Sequence, residues 1–526
     1  MSSQPAPAAA AAPAARASAA SRVLAGTALA VLSGLLGLLA QPPFELWALI
    51  FVAFVPMVWA QHRLVPPAFA PAVPAIAIAT FLVTQITPGL IQGGVAWYYH
   101  AFPLVIGALI TLLGWPGRHF HARTRYRWLS VSFPLAWVAV DAARVFTGHE
   151  TLGGTWGMPV YGLYEQAWLL QPLSVVGIFG LELLVLAINF ALAHLLIAWL
   201  DERRPPAGVA AARRPALVSA AVVGAVSLAW VTASLVQFAG ADPRPSDPAL
   251  AGPDGASLRV ATVQANSFHD PEIEFERLIE GTRRAAAEGA ELIVWREGGL
   301  KFDPQRERTG ELRSLAAETG AYLAIGYGVT EPDSLRRNEA VVLAPDGRFF
   351  GPYGKDHPGR FAGDHSDTGG EYKVYDTGLG RIATIICYDL DFTDTARAMV
   401  RRGAEFIAVP SNDPPAIART HYTHLVYRAI ENGIAMAKAD SMSDAAIIDP
   451  YGRILERIVH PFGAAEAREA SETLRLPPQI LVADVPKRDR LTLYARFGDW
   501  AGWLAIGGAL LIFATHPIRR GRRERP

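Results

Sequence analysis

The sequence predicts a multi-pass α-helical membrane domain joined to a layered α/β domain held outside the cytoplasm. Three observations predict it. The chain has 526 residues and is 51% hydrophobic, too long for one ordinary soluble domain and too apolar to be read as several. Eight apolar stretches of about 20 residues, the length that crosses a hydrocarbon core, lie at 22–40, 44–61, 68–90, 101–116, 127–146, 173–200, 215–238 and 498–516. Between the seventh and eighth lies a long polar segment, 245–490, in which short β-rich runs alternate with helical ones, the pattern of a layered α/β domain with its own core.

Residues 1–21 are Ala, Pro and Ser with little else, a composition that cannot bury enough surface to fold, so they read as a disordered tail. The run from Arg22 to Ala40 has an apolar core longer than that of a signal peptide and is followed directly by further spans, so it reads as a first span. Orientation follows from the basic residues, which are retained on the cytoplasmic side. Arg16 and Arg22, Arg63, the run Arg118, Arg123, Arg125 and Arg127, then Arg203, Arg204, Arg213 and Arg214, and last Arg519, Arg520, Arg522, Arg523 and Arg525 fall on alternate sides of successive spans. Both termini are thereby placed inside and the polar segment outside. The expected domains are a seven-helix membrane domain at 22–240, a Pro- and Gly-rich linker at 241–256, the α/β domain at 257–488, a final transmembrane helix at 498–516 and a basic cytoplasmic tail at 517–526.

Within the polar segment, SLRVATVQA, ELIVW, AYLAIGYGV, EAVVLA, RIATIICYD, EFIAVPS, IAMAKAD and ILVADVP read as strands, with helices near 271–288 and 307–319 and turn signals APDG, DTGLG and DPYG between them. Formal net charge is zero and the basic residues form short blocks between apolar runs, which argues against nucleic acid as a partner. One cysteine, Cys387, excludes an intramolecular disulfide and a Cys-based zinc site.

Three places put a reactive side chain at the end of a buried strand, where a sheet holds it and a loop opens it to substrate. IVWREGG puts Glu297 two residues past an apolar strand, FFGPYGKDH puts Lys355 in a Gly-rich turn, and ATIICYDLDF puts Cys387 at a strand end, before a helix expected to start near Thr393. Singly each has a structural explanation: free Cys is among the most buried residue types, and a Glu or Lys beside a turn is usually solvated. Together they form an acyl-transfer set without histidine. A carboxylate removes the thiol proton, the thiolate attacks a carbonyl, and an ammonium stabilises both thiolate and oxyanion.

At these residues the chain resembles the nitrilase (carbon–nitrogen hydrolase) superfamily, whose Glu, Lys and Cys come in this order. VQAN at 263–266, PDGR at 345–348, ICYD at 386–389, the run Ser411 to Asp413, RAIENG at 428–433 and DPYGRIL at 449–455 support it. The membrane part is similar to the apolipoprotein N-acyltransferase family in AQPPFELW at 40–47, LLQPLSVVGIFGLELLVLAINFALAHLL at 169–196 and TLYARFGDW at 492–500. The resemblance implies an αββα nitrilase-type domain with Glu297, Lys355 and Cys387 catalytic and Trp295, Tyr388, Asp389 and Asn412 at the substrate. It implies acyl transfer from a phospholipid through a cysteine thioester to the N-terminal amine of a lipoprotein, in a bacterial inner membrane, by a monomer using no metal or organic cofactor.

The sequence departs from the family at the rim of this set. Arg296 stands where Pro is usual, placing a permanent charge beside the proposed base. The loop that carries a second Glu is missing, with Asp364 or Glu371 as substitutes. Pro414 and Pro415 replace a Trp-Phe pair, Asp389 replaces Glu, and KADSMSD at 438–444 replaces an Asn-rich run. These departures leave open an acyltransferase or amidase acting on another amine or amide, and a non-catalytic lipid-binding relative. Among polar groups in the spans, Asp141 and Arg144 read as a local ion pair, with Glu182 and Asn189 as further candidates. Trp97, Tyr98, Tyr99, Trp156, Tyr161 and Tyr164 read as interfacial anchors or as the wall of a lipid path.

Overall fold

The computed structural model describes residues 18–92, 94–147, 153–206, 209–240, 257–265, 270–331, 336–360, 363–367, 371–440, 444–459, 477–487 and 491–515. The expected linker 241–256, the basic tail and all but the end of the disordered tail lie outside these residues. The first helix begins at Ala19, with the Ser18 hydroxyl accepting from the Ser21 amide as its cap.

Among the described residues, six helices are long and apolar enough to cross a membrane: Ala19–Leu39, Trp47–Leu64, Ala72–Gln92, Leu129–Thr147, Leu173–Arg203 and Arg213–Gly240. The expected spans at 101–116 and 498–516 differ from these. The first falls on the Phe102–Arg123 helix, which ends in His and Arg and is not among the six, and the second on a shorter apolar helix, Trp500–Thr515. The Trp47–Leu64 span is irregular, running through 3₁₀, α and π turns. Asn189, fully buried on the Leu173–Arg203 helix, satisfies it: its amide donates to the Ile50 carbonyl at 2.8 Å and its oxygen accepts from the Phe54 amide at 2.9 Å. Backbone groups in hydrocarbon need such a partner, so the polar residue expected in span six has a structural role.

The α/β part carries two six-stranded sheets. The first runs β12 (Gln479–Pro486), β1 (Ser257–Gln264), β2 (Leu292–Trp295), β3 (Tyr322–Thr330), β4 (Arg336–Leu343), β5 (Phe349–Gly354). The second runs β11 (Ile454–Ile458), β10 (Ala445–Ile448), β9 (Ala435–Ala439), β8 (Phe406–Pro410), β7 (Gly380–Thr384), β6 (Val374–Thr377). Each has a parallel centre, β1-β2-β3 and β7-β8-β9, with antiparallel edges. The strand sequences are continuous Val, Ile, Leu and Ala because both faces of such a centre are covered. Val260, Val294 and Val342 of one sheet meet Ile382, Phe406 and Ile447 of the other in a core between the sheets. Helices Pro271–Ala287 and Thr309–Thr319 cover the outer face of the first sheet. Helix Pro415–Asn432 covers the second, and its core is continuous with that of the membrane helices. The result is the αββα arrangement expected.

That helix is the joint between the two parts. The Tyr427 hydroxyl donates to the Val160 carbonyl, and the Glu431 carboxylate accepts from the Ile178 amide at 2.8 Å. The second contact falls where Gly177, at φ +66°, kinks the Leu173–Arg203 helix. A Cβ there would lie 2.4 Å from the Tyr494 ring, so only glycine fits.

Arg296 is 2% exposed and turned into the protein. Its guanidinium pairs with buried Glu274 and donates to the Glu297 carbonyl at 2.9 Å. The charge expected beside Glu297 is thus neutralised by a partner on the Pro271–Ala287 helix and braces the Glu297 backbone. Removing one member of a buried pair strands the other charge. Glu274→Ala should lower stability by about 3–5 kcal/mol, read as an earlier unfolding midpoint in detergent, while Arg283→Ala on the same helix, whose pair with Glu318 is exposed, should leave the midpoint nearly unchanged.

Candidate active site

The three expected reactive residues line one cavity of about 590 Å³, with Asn338, Asp364 and Asp413 beside them. Each arrives from a strand end. Glu297 follows β2, Lys355 follows β5 and Cys387 follows β7, so the carboxyl ends of strands from both sheets supply the site, as open α/β sheets do.

Lys355 is 4% exposed. Its ammonium donates to Glu297 Oε1 at 2.8 Å and to Asp364 Oδ2 at 3.1 Å. The Asn338 amide donates to the same two oxygens, at 2.6 and 3.1 Å. Two donors and two acceptors thus close a ring. Burial works against the Lys355 charge, but Glu297, Cys387 and Asp364 outweigh it and hold its pKa well above the ordinary lysine value. Asp364 is likewise opposed by burial, yet Lys355 and the bonds from Ser366, Lys355 and Asn338 bring its pKa below the ordinary carboxylate range. Of the two substitutes considered for the missing Glu, Asp364 is the one in contact. Glu371 pairs instead with Lys373 at 3.2 Å, exposed.

Cys387 sits on a turn with φ +46°, a left-handed conformation uncommon outside glycine and characteristic of strained functional residues. The turn swings the sulfur out of line with β7 into the cavity. A 3₁₀ turn, Cys387–Asp391, follows, and the helix expected near Thr393 begins at Thr395. The thiol donates to Asp413 Oδ1 at 3.4 Å. Burial is the largest influence on the thiol, Glu297 and Asp413 add to it, and Lys355 opposes it; the pKa lies well above that of a free cysteine.

The four residues expected at the substrate divide evenly. Tyr388 and Asn412 line the cavity. Trp295 does not: it is fully buried, its indole donating to Thr282 at 2.9 Å behind the first sheet, because alternation along β2 points it to the helix layer. Asp389 does not either. It is fully buried and accepts from the Ile386 amide, the Tyr353 hydroxyl and the His357 amide, each at 2.8 Å. It therefore ties the Cys387 turn to the strand and loop that carry Lys355, and does not line the cavity.

Asn338, Asp413 and His421 were not singled out as cavity residues in the sequence. Asp413 had a signal in its SND run; Asn338 and His421 had none, since an isolated Asn in a strand or His in a helix is common. Asp141 and Arg144 form the expected ion pair at 2.9 Å. Arg144 also donates to the Gly154 carbonyl and lines the cavity. Trp97 and Tyr98 are exposed, as interfacial anchors are, and Trp156 lines the cavity. Tyr161 and Tyr164 are instead buried at 1%, Tyr161 stacked on His424 and Tyr164 edge-to-face with Tyr422 of the joint helix, and fix the two parts together.

Two stretches of the chain match known families: residues 259–465 match carbon–nitrogen hydrolase, and residues 33–191 match the apolipoprotein N-acyltransferase N-terminal domain. Among similar proteins, an apolipoprotein N-acyltransferase of Geobacter metallireducens is 26% identical over 540 residues, 92% of this chain and 94% of that protein. A nitrilase of Pyrococcus abyssi is 30% identical over 218 residues, 38% of this chain and 80% of that one. Among solved structures, an amidase from Nesterenkonia sp. aligns over 44% of this chain and 90% of its own, at 23% identity and TM-score 0.36.

The charges around the single thiol set a testable order of alkylation midpoints. Lys355 lowers the thiol pKa and Glu297 raises it. With pH-dependent iodoacetamide labelling of the full chain, the wild-type midpoint should lie above that of free cysteine, about 8.5. Lys355→Met should move it further up and Glu297→Gln should move it down.

Proposed function

The chain belongs to the carbon–nitrogen hydrolase (nitrilase) superfamily and to the apolipoprotein N-acyltransferases within it, and from that premise we propose how its cavity transfers an acyl chain. The donor is a phospholipid and the acceptor the N-terminal amine of a diacylglyceryl lipoprotein. The enzyme sits in a bacterial inner membrane with the α/β domain on the periplasmic side, where both substrates are anchored.

The observation that carries the reading is the ring of Glu297, Lys355, Asp364 and Asn338 around one side of the Cys387 cavity. Both hydrogen bonds to Glu297 fall on Oε1, which leaves Oε2 to take the thiol proton. An ammonium has three N–H groups; two of those on Lys355 point at carboxylates, leaving the third for an oxyanion. In the first step Glu297 takes the proton from Sγ as the sulfur attacks the ester carbonyl carbon. Lys355 stabilises the developing oxyanion, a contribution of several kcal/mol in a water-excluded site. The intermediate collapses by breaking the C–O bond. Glu297 returns the proton to the departing alkoxide, and lysophospholipid leaves a thioester on Cys387.

In the second step the acceptor amine attacks the thioester carbonyl. Glu297 removes a proton from the nitrogen, the C–S bond breaks, and the amide forms with the thiol regenerated. The apolar wall from the membrane part, Ile86, Leu90, Val95 and Phe102, gives the acyl chain a surface to lie on beside the sulfur. An active site built between a membrane wall and the strand ends of two sheets suits two lipid-anchored substrates taken in turn.

Purified full-length chain incubated with phospholipid micelles should gain the mass of one acyl group on Cys387, and lose it when a lipoprotein peptide with a diacylglyceryl N-terminal cysteine is added. Cys387→Ala should show no adduct, and Glu297→Gln and Lys355→Met should slow adduct formation by about 10²–10⁴-fold, the range typical of a general base or an oxyanion donor. An adduct that forms but never passes to the peptide would refute the acceptor; absence of any adduct on wild-type protein would refute the transferase.

A further inference from the structure

Beyond the reactive set, the cavity wall holds a second cluster that the proposed transfer does not use. Asp391, at the end of the Cys387 turn, and His421 and His424, three apart on one face of the Pro415–Asn432 helix, are each 2% exposed or less. His421 Nε2 lies 3.3 Å from Asp391 Oδ2, and His424 Nδ1 lies 2.6 Å from Asp391 Oδ1. One oxygen of Asp391 and one nitrogen of each histidine fall within 4.8 Å of one another. Yet both Asp391 oxygens, His421 Nε2 and both nitrogens of His424 lack an aligned hydrogen-bond partner among the described residues. Burying that many polar atoms without aligned partners is costly.

The surroundings are those of metal-binding histidines. His421 Nδ1 is 2.8 Å from both oxygens of Asp413, and Asp413 is held in turn by the Lys438 ammonium at 2.8 Å. A carboxylate on one ring nitrogen fixes the tautomer and leaves the lone pair of the other nitrogen, here Nε2, for a metal. Tyr161 stacks on the His424 ring at 3.8 Å and Trp156 lies 5.2 Å from it and 5.8 Å from His421, so aromatic rings back the histidine pair. The Asp391 carbonyl accepts from the Thr155 amide at 2.7 Å and hydroxyl at 2.9 Å, so the carboxylate is fixed from its backbone side.

We propose that Asp391, His421 and His424 bind one divalent transition-metal ion of the zinc class. Two imidazoles and one carboxylate are a borderline-soft set that suits zinc over magnesium or calcium. Zinc ligand bonds of about 2.0–2.2 Å place tetrahedral donors about 3.3 Å apart; the three ligand atoms lie within 4.8 Å of one another and the two histidines meet different oxygens of Asp391, so an ion would draw both imidazoles toward one point. Asp391 and His421 both line the active-site cavity, so the fourth position faces it. The ion joins the Cys387 turn, the joint helix and, through Thr155, the membrane-side loop. The site stands on its own geometry and does not depend on the acyl donor or acceptor.

Cys387, Asp413 and His421 also lie within 4.8 Å of one another, and the experiment separates the two sets. Full-length protein in detergent, stripped with chelator and then dialysed against zinc, should retain one ion per chain by elemental mass spectrometry and gain thermal stability with zinc. Cobalt in its place should give a visible ligand-field band. Cys387→Ser should keep the ion, while Asp391→Asn and His424→Leu should lose it. Wild-type protein that retains no stoichiometric ion overturns the proposal, a result that needs no variant to fold. So does loss of the ion in Cys387→Ser, or its full retention in both Asp391→Asn and His424→Leu.

Discussion

A lysine ammonium taken out of water is the constraint around which this protein is built. Lys355 is 4% exposed, and the cost of burying an isolated cation exceeds what most packing supplies. Two carboxylates, Glu297 and Asp364, meet that cost and the Asn338 amide bridges them, so with Lys355 the ring draws on four separated positions. The first sheet brings three of them together at one end: Asn338 lies on β4, while Glu297 and Lys355 follow β2 and β5. The ring that neutralises the cation is also the ring that would hold a base and an oxyanion donor at fixed distance. Folding and the proposed chemistry therefore make the same demand on these residues, and a change that spoils one spoils the other.

The second sheet answers a different demand. Its helix Pro415–Asn432 is covered on one side by strands and on the other by membrane segments, so it carries buried polar residues along its length. Those on the membrane side, Tyr427 and Glu431, bind the backbone of the loop at 159–163 and the kink at Gly177. Those near its start, His421 and His424, face the Cys387 turn. One helix thus sets the distance between the Cys387 sulfur and the membrane wall. A rigid joint here keeps the sulfur close to the apolar surface on which an acyl chain would lie.

Much of this was legible in the residues, and the gaps have physical causes. The apolar runs at strand length, bounded by Gly, Pro and Asp turns, located β1 to β4, β7 to β9 and β12, and strand-end placement drew attention to Glu297, Lys355 and Cys387. Short edge strands such as β6, VYDT, have too few residues for a period to show. Asp389 and Trp295 stand next to site residues in sequence, but alternation and the tight turn at Cys387 send their side chains into the core. Arg296 looked like a charge beside a base because its partner, Glu274, lies on another element. Tyr161 and Tyr164 looked like interfacial anchors because sequence does not reveal that a helix from the other domain covers them. Adjacency in sequence is a poor guide wherever a buried partner comes from elsewhere in the chain.

The electrostatics of the sulfur bear on how a thiol can act here at all. Cys387 is pressed by burial, by Glu297 and by Asp413 toward its protonated form, and Lys355 offsets only part of that. A standing thiolate, the usual resting state of cysteine enzymes with a neighbouring histidine, is therefore not the ground state of this site. Deprotonation has to accompany attack, and it is useful only when an electrophilic carbon is already in place to receive the charge. In the proposed reaction Lys355 would do most for the state in which negative charge has moved from sulfur to the carbonyl oxygen, which is the differential stabilisation that speeds a reaction. A nucleophile kept neutral until an acyl group arrives also has little tendency to react with anything else, and the thiol hydrogen bond to Asp413, at 3.4 Å, holds it in that waiting state.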